Sequence, residues 1–271
     1  MPEFPCETPI TLALKLRHGN VDVVAEPRSS ASVEVTTVNG PVTDAQVELR
    51  GDVLVVQVPE SIGSWLTWRP SRLRVVARVP SGSRIEARLQ SGDLRARGTY
   101  ELFHLTSSSG DVTLEHVTGD ASVTSSSGDL RIDRVDGSLA AHTSSGDIDI
   151  RYVGGDLTSH SASGDLTLGV VSGSVDATTA SGDVELGVAN AGTVRVKSAS
   201  GDVTVGVAAG TGVWLDLATT SGDTRNELAS SSFGDDDGHA PDGENPGLTL
   251  KVRTISGDIK IRRALAASST V

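Results

Sequence analysis

The sequence predicts an all-β protein, a single-stranded parallel β-solenoid in which each coil of about 18 residues carries two short strands. The tripeptide Ser-Gly-Asp occurs nine times, and its first five intervals are all 18 residues long. Apolar residues alternate after each tripeptide, as at Val112 and Leu114, and alternate again after a second glycine nine residues later, as at Gly119. Alternation with a period of two predicts strands, and the constant offset predicts that these strands stack in parallel.

The coil is too small to fold alone. A strand of four or five residues cannot bury its apolar side, but coils stacked about 4.8 Å apart form a continuous core between two sheets. A hexapeptide left-handed helix would divide 18 residues into three sixes, whereas this repeat divides into nine plus nine. The general preference of parallel crossovers predicts right-handed winding.

The spacing of strands and turns predicts the organisation of the chain. We expect a flexible N-terminus at 1–7, a β-strand region that caps the solenoid at 8–90, the Ser-Gly-Asp solenoid at 91–263 and a disordered tail at 264–271. An acidic, turn-rich stretch at 229–247 predicts a mobile insertion, after which strands at 248–252 and 259–261 should close the stack.

Composition limits the class of protein. The 271 residues carry a net charge of -12, hydrophobic residues make up 37% and aromatic residues 3%. A single cysteine, Cys6, excludes an intramolecular disulfide framework and a cysteine-rich zinc site. The start of the chain lacks a basic segment before its first apolar run, and no apolar run reaches the roughly 18 residues of a membrane span, so we expect a cytoplasmic protein.

The repeat also resembles a known family. Ser-Gly-Asp followed by an alternating strand, behind an irregular strand-rich start that carries Pro80, Ser81 and Gly82, is similar to the bacterial β-strand-repeat "putative adhesin" family, a domain family of unknown function. The resemblance covers about residues 8–262 and implies a stacked β fold. It also implies a place at or beyond the membrane for many members, and it supplies no catalytic residue.

The aspartates of the repeat should form one column along the solenoid. Two charges about 4.8 Å apart repel by about 0.9 kcal/mol in water, so the column needs compensation. We expect each carboxylate to accept N–H bonds within its own turn, as a structural ladder; a row of divalent cations between coils is the alternative. The aspartates are Asp93, Asp111, Asp129, Asp147, Asp165, Asp183, Asp202, Asp223 and Asp258.

Two further groups are candidates for partner binding. Eight arginines crowd into 29 residues that contain only two acids, and by alternation Arg74, Arg78, Arg84 and Arg88 face away from the core. They could bind a polyanion or pair with acids of this chain, although the net charge of -12 makes nucleic acid an unfavourable partner. Trp65 and Trp68 lie in an apolar loop at 61–70 that either covers the solenoid end or offers contact area to a partner.

A stripe of small apolar residues is the third candidate surface. Glycine and valine replace bulky polar residues on three successive coils, which predicts an exposed stripe through Val170, Val188 and Val207 that contacts a second chain or residues 226–250. The alternative is that these valines turn into the edge of the core. His142 and His160 share one outward column, where a metal could bridge them, but their neighbours in that column are poor ligands.

No catalytic signature is present. The sequence lacks the nucleophile elbow, the phosphate loop, the His-Glu-x-x-His zinc motif and the dinucleotide fingerprint. We therefore expect a non-enzymatic scaffold without cofactor or metal, which binds an unidentified macromolecular partner and could also associate with itself. The alternative is an adhesin-type surface protein that binds a glycan or a divalent cation.

Overall fold

The computed structural model describes residues 2–37, 40–41, 45–58, 73–228 and 247–264. Within these ranges the chain forms strands, turns and bends, and no helix long and apolar enough to cross a bilayer occurs there. The strands are β1 (Glu3–Pro5), β2 (Thr11–His18), β3 (Asn20–Glu26), β4 (Ser30–Thr37), β5 (Gly40–Pro41), β6 (Gln46–Arg50), β7 (Val53–Gln57), β8 (Arg74–Pro80), β9 (Arg84–Ser91), β10 (Leu94–Tyr100), β11 (Leu102–Ser109), β12 (Val112–Val117), β13 (Ala121–Ser127), β14 (Leu130–Val135), β15 (Leu139–Ser145), β16 (Ile148–Val153), β17 (Leu157–Ser163), β18 (Leu166–Val171), β19 (Val175–Ser181), β20 (Val184–Ala189), β21 (Gly192–Ser200), β22 (Val203–Val207), β23 (Val213–Ser221), β24 (Thr224–Asn226), β25 (Leu248–Ser256) and β26 (Ile259–Arg263).

The strands form two sheets, and each regular coil contributes one strand to each. In the central part of the chain, the odd-numbered strands from β9 to β21 belong to a 12-stranded sheet and the even-numbered strands from β10 to β22 to a 14-stranded sheet. Neighbouring strands pair in parallel at an offset of one coil, for example Val112 with Leu130 and Ala121 with Leu139. The predicted parallel β-solenoid with two strands per coil is therefore confirmed; its right-handed winding stays a prediction.

The core lies between the two sheets and is built from the alternating apolar columns. Leu114, Ile132 and Ile150 in one sheet and Val123 and Ala141 in the other are at most 1% exposed. Tyr100 and Phe103 are fully buried near the N-terminal end of the regular coils. Elsewhere the buried columns combine Leu, Ile and Val with small residues such as Ala141 and Ala177, so a chain with few aromatic residues still fills its core.

Buried hydroxyl groups finish the core where each strand of the 12-stranded sheet reaches the Ser-Gly-Asp corner. The Ser125 hydroxyl donates to the Ser127 carbonyl at 3.0 Å, and the Thr143 hydroxyl donates to the Ser145 carbonyl at 3.0 Å. The same contact to a carbonyl two residues later recurs at the buried Thr179 and at the half-buried Ser161. A hydroxyl that satisfies a local carbonyl can be buried with little cost, so serine or threonine fits this position of the coil.

Both ends of the stack depart from the order of the chain. The first coil, β2 and β3, lies between the strands β7 and β8 on one side and β9 and β10 on the other. The coil that comes last in the sequence, β25 and β26, lies between β21 and β22 on one side and β23 and β24 on the other. The expectation that 248–252 and 259–261 close the stack is therefore wrong, since β23 and β24 form its final coil.

The two ends also differ in strand direction. At the N-terminal end, β4 pairs antiparallel with β8, β1 and β5 pair antiparallel with β4, and β6 pairs antiparallel with β7. At the other end, β23 and β24 keep the parallel direction of the coils. Antiparallel edge strands that break the repeat are an effective cap, because they do not offer the register that another coil would need.

Candidate functional site

The repeat aspartates form a hydrogen-bonded ladder that links the coils. The backbone N–H of each aspartate after Asp93 donates to Oδ1 of the aspartate in the adjacent coil, with N···O distances of 2.8 to 3.2 Å. In space the ladder runs through Asn20, Asp93, Asp111, Asp129, Asp147, Asp165, Asp183, Asp202, Asp258 and Asp223.

This arrangement differs from the expected turn in which each carboxylate binds its own backbone. The donor comes from the next coil, so every bond fastens two coils together and places an N–H dipole beside a carboxylate. Most of these carboxylates are exposed, which screens their mutual repulsion. The other corner of the coil has the same kind of bond between coils: Ser138 N–H donates to Asp120, and Ser174 N–H donates to Asp156, both at 2.8 Å.

Glycine beside each aspartate is required by close stacking. Gly146 has φ of +116°, a conformation that favours glycine, and a Cβ added there would lie 2.3 Å from the carbonyl oxygen of Gly128 in the adjacent coil. The same contact occurs at Gly92, where the nearest atom is the carbonyl oxygen of Gly19 at 2.0 Å. Gly19 therefore belongs to the same column of stacked corner glycines.

The coil that contains Gly19 carries a degenerate form of the repeat that was not predicted from the sequence. His18-Gly19-Asn20 takes the place of Ser-Gly-Asp, and the Asn20 side-chain oxygen accepts the Asp93 N–H at 3.2 Å. The signal was available, because Val21 and Val23 alternate after it as in every other coil. It was hidden since 73 residues separate Asn20 from Asp93 in sequence.

A groove of about 810 Å³ opens at this degenerate corner. Its lining combines donors, acceptors and apolar side chains, and the charged members are Asp22, Arg74, Asp93 and Arg95. It is lined by His18, Gly19, Asn20, Val21, Asp22, Thr36, Thr37, Leu73, Arg74, Ser91, Gly92, Asp93 and Arg95. A cavity with convergent polar groups at the place where a strict repeat changes is the best candidate for a binding site among the described residues.

The clustered arginines divide between the two faces of the solenoid. All four predicted arginines are exposed, but Arg74 and Arg78 belong to β8 in the 14-stranded sheet, whereas Arg84 and Arg88 belong to β9 in the 12-stranded sheet. The single arginine surface expected from sequence is therefore two surfaces, because consecutive strands of a coil enter opposite sheets.

Two of these arginines form ion pairs. Arg74 binds Asp22 through Nε and Nη2, at 3.2 and 2.7 Å. Arg84 binds Glu101 through Nε at 2.8 Å, and this pair raises the pKa of Arg84 and lowers the pKa of Glu101. These two arginines therefore pair with acids of this chain, which is one of the two alternatives that the sequence left open.

Three other arginines of the N-terminal coils, also on the 14-stranded face, have no ion pair in the described part of the chain. Arg78, Arg95 and Arg97 are exposed and make no salt bridge there. Arg78 and Arg97 occupy one column on either side of Val24, and Arg95 lines the groove. We call Arg78, Arg95 and Arg97 the arginine patch. Its acidic neighbours are Asp22, which is in register with Arg95 and pairs with Arg74, and Glu115, whose carboxylate accepts the Gly98 N–H beside Arg97.

An imidazole and a carboxylate pair on the same face, one coil further along. His116 Nε2 lies 2.9 Å from Asp136, and Arg134 Nε donates to the other oxygen of that carboxylate at 2.6 Å. These two contacts lower the pKa of Asp136. The Arg134 guanidinium also stacks on Tyr152, 4.4 Å from the ring centroid. The pattern was not predicted, because His116 and Asp136 lie 20 residues apart on different coils.

His142 and His160 are neighbours on the 12-stranded face, as their shared column predicts. Their rings stack with centroids 5.0 Å apart and an angle of 8° between planes. Burial, followed by the charge of His160, lowers the pKa of His142. Parallel stacked rings do not direct their nitrogens at a common point between them, and the described residues hold no group of three or more His, Cys, Asp or Glu side chains that could bind a metal.

The glycine-valine stripe is shorter than predicted. Val170 and Val188 are paired, half-buried residues on the 14-stranded face, but Val207 is fully buried and pairs with the core residue Ala189. The strand β22 has one residue fewer than β20 before this pairing, so its last valine rotates into the core. Trp65 and Trp68 lie outside the described residues; the chain leaves the described part after Val58 and returns at Leu73, which lines the groove.

The fold and its corners define a two-sheet parallel β-solenoid whose coils are joined by aspartate and glycine files. The family model described as Toastrack DUF4097 matches residues 4–170 and 156–262. The chain belongs to this toastrack family. No curated protein matches it.

Three solved structures are similar to this chain at low sequence identity. A "putative adhesin" from Bacteroides fragilis is 12% identical with a TM-score of 0.47, and the alignment covers 96% of this chain and 95% of that one. A "putative adhesin" from Parabacteroides distasonis is 11% identical with a TM-score of 0.44, covering 96% and 95%. A "putative cell adhesion protein" from Clostridium sporogenes is 11% identical with a TM-score of 0.23, covering 97% and 99%.

Proposed function

We propose that this toastrack protein is a non-enzymatic, cytoplasmic scaffold that binds a macromolecular partner carrying acidic groups. The observation that carries the proposal is the groove with the arginine patch beside it. Guanidinium groups without an ion pair are available to carboxylates or phosphates of another molecule, and they bind both with two parallel hydrogen bonds. A rigid β-solenoid holds such groups at fixed spacings, which suits recognition better than a mobile loop does.

The ladder and the groove support binding rather than catalysis. Several of the described polar groups link coils or form ion pairs, as the Asp147 ladder bonds and the His116–Asp136 pair do. The proposal includes Trp65 and Trp68 as contact residues, since the segment that carries them rejoins the described chain at Leu73 in the groove wall.

Capture of a partner on immobilised protein, followed by calorimetric titration with the purified partner, tests this proposal. Arg95→Glu and Arg97→Glu should weaken binding by at least about tenfold each, because each converts an attraction into a repulsion. Arg88→Glu is the matched control: Arg88 is also exposed and without a salt bridge in the described part of the chain, but it lies on the opposite face. A partner that responds equally to Arg88→Glu and Arg97→Glu would contradict the proposed surface.

A second candidate function is adhesin-type binding of a glycan at the cell surface. The mixed donors and acceptors of the groove, with Val21 and Leu73 beside them, favour a ligand that offers hydroxyl groups and an apolar face. Cell fractionation distinguishes the two candidates, because the scaffold should be found in the cytoplasm and the adhesin outside it. Divalent cations are less well supported, since Oδ1 of the ladder carboxylates already accepts backbone N–H bonds.

A further inference from the structure

The final coil of the solenoid has an open edge in both sheets. β23 is the last strand of the 12-stranded sheet and pairs with β25; β24 is the last strand of the 14-stranded sheet and pairs with β26. Among the described residues, neither strand has a partner on its other side. Such edges present a row of backbone donors and acceptors that is suited to a further strand.

The core is also open at this end. Val213, Leu215 and Leu217 of β23 point into the core columns but remain half-exposed. Their register partners in the preceding coil, Leu248, Leu250 and Val252, are 0% exposed. A molecule that covers the final coil would therefore bury these three side chains, and this burial would favour its binding.

The aspartate ladder stops unfinished at the same place. The Asp223 N–H donates to Asp258 Oδ1 at 2.8 Å, as every earlier member of the ladder does. The Asp223 carboxylate accepts no hydrogen bond from the described residues, whereas the carboxylates of Asp258 and Asp202 each accept one. Hydrogen bonding, apolar burial and the ladder thus all end at one surface, which we call the open end.

We infer that the open end binds the open end of a second copy of this chain, so that two solenoids join through their final coils. A single extended peptide could cover one of the two edges, but the two sheets lie about 10 Å apart and enclose exposed core between them. Another solenoid end of the same width covers both edges and the core together. The opposite end of the molecule is not complementary, because its edges are the antiparallel strands β1, β5 and β6.

The symmetry of this contact follows from the strands. A twofold axis along the sheet normal keeps each sheet continuous across the contact and pairs β24 antiparallel with its copy. Within one chain, Arg225 Nε pairs with Glu227 Oε1 at 3.2 Å, and Lys260 Nζ lies 3.5 Å from the same oxygen. With Asn226 on the axis, each Arg225 also lies opposite the partner's Glu227, so opposite charges of the two copies face one another across the contact. A twofold contact closes on itself, so it produces a dimer and not a filament.

This inference goes beyond the proposed function, since the groove lies in the N-terminal coils and the open end is formed by β23 and β24. The two ideas fail separately: Arg95→Glu should alter partner binding without altering the dimer, and variants of the open end should alter the dimer alone.

Sedimentation velocity and light scattering across about a hundredfold range of concentration test the dimer directly. We expect the wild type to dimerise and Leu217→Lys to be monomeric, because an inward-pointing charge protects a strand edge from pairing. Leu217 is half-exposed, so the variant should fold, and a far-UV circular dichroism melt checks this.

Charge reversal supplies a second test that does not depend on Leu217. Arg225→Glu and Glu227→Arg should each weaken dimerisation at least about tenfold, because each places like charges opposite one another, and the double variant should return to within about threefold of the wild type. Arg97→Glu, far from the open end, is the control and should leave the dimer unchanged. A wild type that stays monomeric over the whole range overturns the inference, and so does a dimer that is unaffected by both Leu217→Lys and the charge reversals. A dimer that is lost on Val188→Asp but kept in these variants assigns the contact to the glycine-valine stripe and overturns the inference equally.

Discussion

Substitution of one glycine in the Ser-Gly-Asp column should destabilise the solenoid strongly, and Gly146→Ala is the sharpest case. A Cβ at Gly146 would lie 2.3 Å from the Gly128 carbonyl oxygen and 2.7 Å from its carbonyl carbon. Both atoms are backbone, so the overlap cannot be relieved by a change of rotamer. The coil has to move by roughly an ångström, which is enough to break hydrogen bonds at this corner.

The cost can be assembled from the contacts that flank Gly146. Its φ of +116° is unfavourable for alanine by about 1 to 2 kcal/mol. Displacement of the corner threatens the bond from Leu130 N–H to the Asp147 carbonyl, 2.9 Å, and the bond from Asp147 N–H to Asp129 Oδ1, 3.1 Å. At about 1 kcal/mol for each bond, the free energy of unfolding should fall by about 3 to 4 kcal/mol.

Gly51→Ala is the matched control. Gly51 also has a positive φ, +64°, but a Cβ there meets nothing within 4 Å. Only the cost of the positive φ remains, so the free energy of unfolding should fall by about 1 kcal/mol. Urea unfolding followed by circular dichroism at 25 °C measures both variants. If Gly146→Ala loses no more stability than Gly51→Ala, the close contact between corner backbones is not a real constraint and the stacking argument is refuted.

Four further outcomes are expected. Asp147→Ala should lose about 1 to 2 kcal/mol because the Asp165 N–H loses its acceptor at 2.9 Å, while Asp147→Asn, which keeps that oxygen and removes a charge, should be neutral or stabilising; urea unfolding separates them. Tyr100→Phe should lose about 1 to 3 kcal/mol in the same assay, since the buried Tyr100 hydroxyl donates to the Arg97 carbonyl at 2.8 Å. The folded-state pKa of His142 lies below 6.5 mainly because of burial, so His142 should make the fold less stable as the pH falls below 6.5, and His160→Ala should raise the pKa measured by NMR titration. Calcium should leave the melting temperature within about 1 °C of its value in chelator, and a large rise would instead assign the aspartate ladder to cation binding.

The repeat could be predicted because its signals are local. In each coil, alternation indicates which residues face the core, as at Val112 and Leu114, and a glycine marks the corner, as at Gly110. A constant spacing of these signals is compatible with few arrangements other than parallel stacking in register.

The candidate site could be predicted only in part. The exposed side chains of Arg74 and Arg88 follow from alternation, but their division between two faces depends on which sheet each strand enters. Val207 was misplaced because the loss of one residue in β22 rotates it inward, and the sequence around it still resembles that around Val188. The groove depends on Asn20 and Asp93 being neighbours, which only the stacked structure brings about.

The sequence by itself determined the strands, the period of the coil, and the residues that face the core, because alternation and corner glycines act within a few residues. The tertiary structure decided which coil lies next to which. Coils of one repeat present nearly the same register to any neighbour, so β2 and β3 can lie beside β9 and β10, and β25 and β26 beside β21 and β22, without any local sign in the sequence. The packing of the whole stack decides which of several similar coils become neighbours. It therefore also decides where the groove, the arginine patch and the open end lie.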